Sequence, residues 1–320
     1  MAEWLIERGI GETRAVLVEG GRIVEARIVL DGVVPAGTVI AARLASVGIN
    51  SRNAIATGED GTEYLLPQAP RGVTEGASLT IEITREAIPG DESWKRPLAR
   101  VSDALPSMAP ALEGSAVPFP SPGADPLESA GWSDLLEEAA SEIVEFPGGR
   151  LRTSPTPAMI LIDVDGTLPA EELAIAGARA AGQAIRRLGL AGSIGIDLPT
   201  VEGKAARQAA AAAIDAVLPL PFERTAVNGF GFVQIVRPRK RASLVEIYTG
   251  DRPAAEARAL LRRAASETGA GRLAAHPAVI AVLEYHPDWI EALAVQVGGA
   301  IALRADPSLP IHGSYVEPFA

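Results

Sequence analysis

Three aspartates stand at the ends of apolar runs. In residues 158–167 (AMILIDVDGT), Met159, Ile160, Leu161 and Ile162 lead to Asp163 and Asp165, and in residues 193–197 a second run ends at Asp197. Carboxylates crowded together repel one another and stay ionised only when a cation or another positive charge compensates them. Oxygen-only ligands in a partly open site suit Mg²⁺, which keeps several waters and takes few protein carboxylates when a substrate supplies phosphate. The bland alternative makes Asp163 a turn cap and Asp197 a plain loop residue.

The elements around these residues decide whether they can meet. Residues 171–187 are dense in Ala and Arg, good helix formers, and lie between the two runs. Strand, helix, strand is a βαβ unit, and its right-handed crossover puts both carboxyl ends on one edge of a parallel sheet, where ligands of open α/β sheets bind. An Ala-rich helix over 201–217 follows, then a strand over 227–236 with a glycine kink. That strand runs into Arg237-Pro238-Arg239-Lys240-Arg241, the densest positive run in the chain. Such a run is either a solvated turn or, at the end of a strand expected to neighbour the acidic cluster, a grip for phosphates.

Composition bounds the rest. The chain has 320 residues, 48% hydrophobic and 22% charged, which is an ordinary globular mix with room for about two domains. It carries no cysteine, which excludes a disulfide framework and Cys-based zinc sites and fits a reducing compartment. No basic start with a long apolar core opens the sequence, and no window reaches the ~18 apolar residues of a membrane span, so a cytoplasmic protein is expected. The net charge of −11 argues against a broad nucleic-acid footprint, and leaves only local basic contacts that weaken with salt. The three histidines, His276, His286 and His312, are scattered without metal-ligand spacing.

In chain order, strands are expected over 4–7, 14–19 and 22–29, with Gly20-Gly21 as the hairpin turn. Residues 38–45, 54–57, 63–66 and 78–84 read as strands of a small antiparallel barrel compatible with an oligonucleotide-binding fold, whose fifth strand has no clear candidate. Residues 102–131 hold six prolines between Leu105 and Leu127 and read as a linker. A helix over 132–144 and an edge strand beginning near 150 precede the central run. A helix over 252–268 follows it, and the last segment reads as a helix over 288–296 between β runs at 278–283 and 300–304, a small α+β unit.

Two family resemblances compete at the aspartates. IDVDGTL is similar to the first motif of haloacid-dehalogenase-like phosphatases, which implies Asp163 as nucleophile and Asp165 as acid/base. Those enzymes also need a later strand ending in Ser or Thr, a Lys and an acidic pair. Here Thr200 follows a proline, and Thr249-Gly250-Asp251 has no acidic partner at Ala254 or Ala255.

The wider text, FPGGRLRTSPTPAMILIDVDGT, then ARAAGQAIRRLGLAGSIGIDLP, then VNGFGFVQIVRPR, resembles the ribonuclease E/G family in the same order. The hairpin RAVLVEGGRIVEARI and the tail DWIEALAVQVGGAIALRADPSL resemble further pieces of it. The resemblance implies a magnesium-dependent endoribonuclease that cuts single-stranded RNA in RNA processing or decay. Asp163 and Asp197 would be the metal ligands, and Asp165 would stand where the family has Asn. Arg237, Arg239, Lys240 and Arg241 would hold flanking phosphates. Within TREAIPGDESWKRPL, Arg85 and Lys95 match basic positions of the family's RNA-binding barrel. Tyr64 keeps one of its stacking aromatics, and Ala54 or Ala56 replaces another. The family's Cys-x-x-Cys zinc link is missing and the Pro-rich segment replaces most of its 5′-monophosphate sensor, which leaves a monomer or a weak homodimer.

The expected architecture is α/β, with ribonuclease H-like and deoxyribonuclease I-like core elements, an inserted OB-type barrel and a C-terminal α+β unit. The divisions are N-terminal strands at 1–35, barrel at 36–101, linker at 102–131, catalytic α/β domain at 132–250 and C-terminal unit at 251–320. A catalytically weakened RNA-binding protein and a structural α/β domain whose acidic cluster does nothing are the alternatives outside enzymes.

Overall fold

The computed structural model describes residues 2–48, 52–90 and 95–318. Residues 91–94, inside the segment that resembles the RNA-binding barrel, lie outside the described residues. Strands β1 (Glu3–Arg8), β2 (Glu12–Glu19) and β3 (Arg22–Leu30) form an antiparallel meander, turned at Gly20 and Gly21 with φ of 58° and 77°. Strands β4 (Val39–Val47), β5 (Ala54–Gly58), β6 (Glu63–Leu66), β7 (Ser78–Arg85) and β8 (Leu98–Val101) then close into a barrel in the order β4-β5-β6-β8-β7. β8 is the fifth strand that the sequence did not disclose. Its four residues, Leu98-Ala99-Arg100-Val101, do not alternate, with Ala99 the one buried position, so no period-two pattern stands out.

Residues 102–131 do more than link. Ser107 exchanges two backbone hydrogen bonds with Val39, of 2.8 and 2.9 Å. β9 (Ser115–Val117) adds to β1 in parallel, completing the four-stranded sheet β3-β2-β1-β9. The short helix α1 (Pro126–Ser129) is capped by Asp125. Asp125 and Glu128 also reach Arg14, which is buried with Glu7 at 2.7 and 2.9 Å. The Arg14 guanidinium lies 5.3 Å from the ring of Trp132, at the start of α2 (Trp132–Ser141). Two carboxylates from the returning segment thus help neutralise a cation that a sheet strand carries into the core, where an unpaired charge is very costly.

The central sheet holds β10 (Ile143–Phe146), β11 (Gly149–Pro155), β12 (Ile160–Gly166), β13 (Gly192–Asp197), β14 (Glu223–Arg224) and β15 (Phe232–Arg237), in the order β10-β11-β12-β13-β15-β14. Two helices serve it. α3 (Ala170–Arg187) is the crossover between β12 and β13, and α4 (Lys204–Asp215) packs beside α3. Glu171 and Glu172 open α3 while Arg186 and Arg187 close it, a charge order that complements the helix dipole. Its buried face is built of small residues, so helix and sheet approach closely. A methyl group at Gly177 would lie 2.3 Å from Val164 Cγ1.

The remaining elements are α5 (Leu244–Gly250), α6 (Arg252–Ala264), β16 (Gly271–Ala275), α7 (Pro277–Tyr285), α8 (Pro287–Val297), β17 (Ile301–Ala305) and β18 (Tyr315–Pro318). The last three strands form the sheet β17-β16-β18. α7 replaces the β run expected at 278–283. Pro277 occupies its first turn and His276 caps it through Nδ1, accepting from the Ala278 N–H at 3.2 Å. The chain is therefore mixed α/β with a closed five-stranded barrel and, among the described residues, three separate apolar cores. No helix among the described residues is long and apolar enough to cross a membrane.

Candidate active site on the open face of the central sheet

Along β12 the side chains alternate. Ile160, Ile162 and Val164 are buried, while Leu161, Asp163 and Asp165 take the other face. β13 runs parallel in register, so Ile194 and Ile196 sit beside Ile160 and Ile162, and Asp197 sits beside Asp163. Register partners on adjacent strands share a face. On the other side, antiparallel β11 sets Arg152 against Asp163 and Arg150 against Asp165. β15 sets Phe232 against Asp197. One row across four strands therefore reads Arg152, Asp163, Asp197, Phe232, with Arg150 and Asp165 in the next row. The three aspartates and both arginines are exposed.

The electrostatics match the crowding. Asp163 is pushed above the usual carboxylate range, first by partial burial and then by Asp165 and Asp197. The Val164 N–H and Arg152 pull the other way. Among the described residues, no group of three or more His, Asp or Glu side chains is arranged to hold a metal ion. Two carboxylates in register, with repulsion that a cation would relieve, remain a donor pair that suits Mg²⁺, which fills its other positions with water and phosphate oxygens.

The loop before β15 borders this row. Asn228 Oδ1 accepts from the N–H groups of Phe230 at 2.9 Å and Phe232 at 3.0 Å. Gly231, at φ 91°, passes so close to β13's exit that a Cβ there would lie 2.1 Å from the Leu198 carbonyl oxygen. The Leu198 N–H in turn donates to the Gly231 carbonyl at 3.3 Å. This pinned turn leaves the Phe230 side chain 82% exposed. The ring of Phe232 lies over Gly195, where a Cβ would come within 2.6 Å of it.

Several expected residues stand elsewhere. Arg237 pairs with Gly192, at the opposite end of β13 from Asp197, because β15 runs antiparallel to β13. Five residue steps along the strand separate the two ends, roughly 16 Å. Arg237 donates through Nη1 to the carbonyls of Leu190 at 2.9 Å and Ile185 at 3.4 Å, and Arg239 pairs with Glu246. Arg237, Arg239, Lys240 and Arg241 therefore do not flank the acidic row. Arg239 instead joins Arg85 and Lys95 along a cleft of about 330 Å³ between the barrel and the starts of β12 and β13. Arg85 donates to the Arg96 carbonyl at 2.8 Å, and burial followed by Arg239 lowers its pKa. Tyr64 is 1% exposed inside the barrel, so its ring offers no surface on which a base could stack.

Four residues of the row and its border escaped the sequence reading: Arg150, Arg152, Phe230 and Phe232. The alternation in Gly149-Arg150-Leu151-Arg152 was a usable signal, since period two puts both arginines on one face. The exposure of Phe230 depends on the Asn228 turn and left no mark in composition. Compared with known proteins, the sequence matches no protein-family model and no curated protein.

Proposed function

We propose that this chain is a magnesium-dependent endoribonuclease of the ribonuclease E/G type that cuts single-stranded RNA. The observation that carries the reading is the parallel register that sets Asp163 beside Asp197 on an open sheet face, between two arginines and two phenylalanines. The barrel order supports an OB-type module, and the sheets before and after it support ribonuclease H-like and deoxyribonuclease I-like elements of one catalytic unit.

Asp163 and Asp197 would hold Mg²⁺, which when bound lowers the pKa of its water and neutralises charge on a phosphodiester. Asp165, one step along the same face, orients the attacking water or takes its proton. Arg150 and Arg152 bind phosphate oxygens of the strand, a role suited to the planar guanidinium. Phe230 and Phe232 stack on bases, which tolerates sequence because every base presents a π-face. Arg85, Lys95 and Arg239 lie where a strand leaving this face toward the barrel would meet positive charge.

The test is a 5′-labelled single-stranded RNA incubated with Mg²⁺ or EDTA, beside Asp163→Asn and Asp197→Asn. Internal cuts that need Mg²⁺ and disappear in both variants support the nuclease. Phosphate released from small esters without RNA cleavage would point to the phosphatase chemistry of the IDVDGTL resemblance. Cleavage unchanged in both variants would remove the aspartates from the mechanism.

A further inference from the structure

The basic run that turns away from the aspartates has a cleft of its own. Arg237, Lys240 and Arg241 line about 560 Å³ together with Arg27 from β3, Arg186 from the end of α3, and the segment Pro219-Leu220-Pro221. That volume is within the range of sites that hold small ligands, roughly 300–1,000 Å³. Glu25 is the acid in the lining, set against five cations. Such a concentration of positive charge stands out in a chain of net charge −11.

The cations are placed in two ways. Arg27 and Arg186 are steadied by Glu25, at 2.7 and 3.9 Å, and Arg186 also meets Glu19 at 3.4 Å. Arg237 spends one nitrogen on backbone carbonyls. The side chains of Lys240 and Arg241 make no hydrogen bond or ion pair among the described residues, and Arg241 feels Glu86 and Glu25 only through space. Burial lowers the pKa of both Arg237 and Arg241, and Arg27 adds repulsion at Arg241. The half-buried charge of Arg241, without a direct partner and beside Arg27, is unfavourable until an anion enters, and guanidinium groups bind phosphate oxygens with good geometry. Leu220, 78% exposed between two prolines, also lines the cleft and offers apolar surface.

We propose that this cleft binds a free nucleotide, with its phosphate chain on Arg237, Lys240 and Arg241 and its base against Leu220. The inference is independent of the nuclease reading, because binding is measured directly whether or not the chain cuts RNA. Calorimetric titration would compare ATP, inorganic tripolyphosphate, adenosine and a short 5′-hydroxyl oligoribonucleotide in metal-free buffer. The variants are Arg241→Gln and Lys240→Gln, the latter at an exposed position that the fold does not need, with thermal melts confirming that both are folded. ATP is expected to bind more tightly than tripolyphosphate and far more tightly than adenosine. Each variant should weaken ATP by about fivefold to tenfold, the loss of one charge-assisted contact. Two results would overturn the proposal. One is ATP binding that is absent, or unmoved by both variants. The other is an oligoribonucleotide that binds more tightly than ATP with the same sensitivity to both variants, which would make the occupant an RNA backbone.

Discussion

Replacing Asp163 with Asn is expected to stabilise the metal-free protein while abolishing cleavage. Asp197 lies one strand away, about 5 Å, and Asp165 two residues along the same face, about 7 Å. In the water-like dielectric of exposed groups, these two repulsions amount to about 0.8 and 0.6 kcal/mol. Salt and the opposing Arg152 and Arg150 reduce them, so a net gain of about 1 kcal/mol or less, roughly 2 °C in Tm, is expected. The pH dependence has a definite sign. Asp163 holds its proton more tightly in the folded chain than in the unfolded one. The wild type is therefore penalised above the folded carboxyl range and recovers as pH falls through it. The variant's advantage should be present at neutral pH, narrow as pH falls through the range just above the ordinary aspartate pKa, and vanish below that ordinary value, about 3.9. Millimolar Mg²⁺ should raise the wild-type Tm and leave that of the variant nearly unchanged. Melts from pH 3 to 7 with and without Mg²⁺, beside the RNA assay, measure all of this. A variant that melts several degrees below the wild type at neutral pH, or still cuts RNA, would refute the reasoning.

Phe230→Ala should weaken binding of single-stranded RNA by about fivefold to a hundredfold, the range for one lost base stack, with no change in melting, as read by fluorescence anisotropy and a thermal scan. Gly177→Ala should destabilise the protein by about 1–3 kcal/mol despite alanine's better helix propensity, because its Cβ meets Val164 Cγ1 at 2.3 Å; chemical denaturation would show this, and Val164→Ala should restore much of the loss. Arg14→Met should cost about 3–5 kcal/mol by leaving Glu7 buried without its cation, and the double variant with Glu7→Leu should recover most of it.

The candidate site was legible in part. Two apolar runs ending in aspartate, joined by an Ala-rich helix, were enough to anticipate that Asp163 and Asp197 would meet, since a crossover fixes parallel direction. The direction of β15 was not fixed in that way. Its glycine-kinked approach is compatible with either sense, and the antiparallel one carries Arg237 and its basic neighbours to the far edge. Tyr64 shows the complementary difficulty. A single tyrosine in a four-residue strand does not reveal which face of a small barrel it takes, and here it takes the inner one. The run at 278–283 is rich in β-branched and apolar residues, so local composition favoured a strand. Burial of Val279, Ile280 and Leu283 at helical spacing against α6 decided for a helix. Residues 115–117 and 125–128 have no pattern of their own, and are ordered by a sheet edge and a buried arginine supplied from elsewhere in the chain.

The paired backbone hydrogen bonds between Val39 and Ser107 fasten the two threads that join the barrel to the rest of the protein. Because both threads pass through one doorway, the intervening stretch is a cassette. Its own loops can be lengthened or trimmed without rerouting either neighbouring sheet, while the Glu86 N–H on the Lys240 carbonyl, at 2.9 Å, is a second seam that an exchanged module must also match. Recombination during evolution, or a designer grafting in a different small module, has to respect that doorway and this seam.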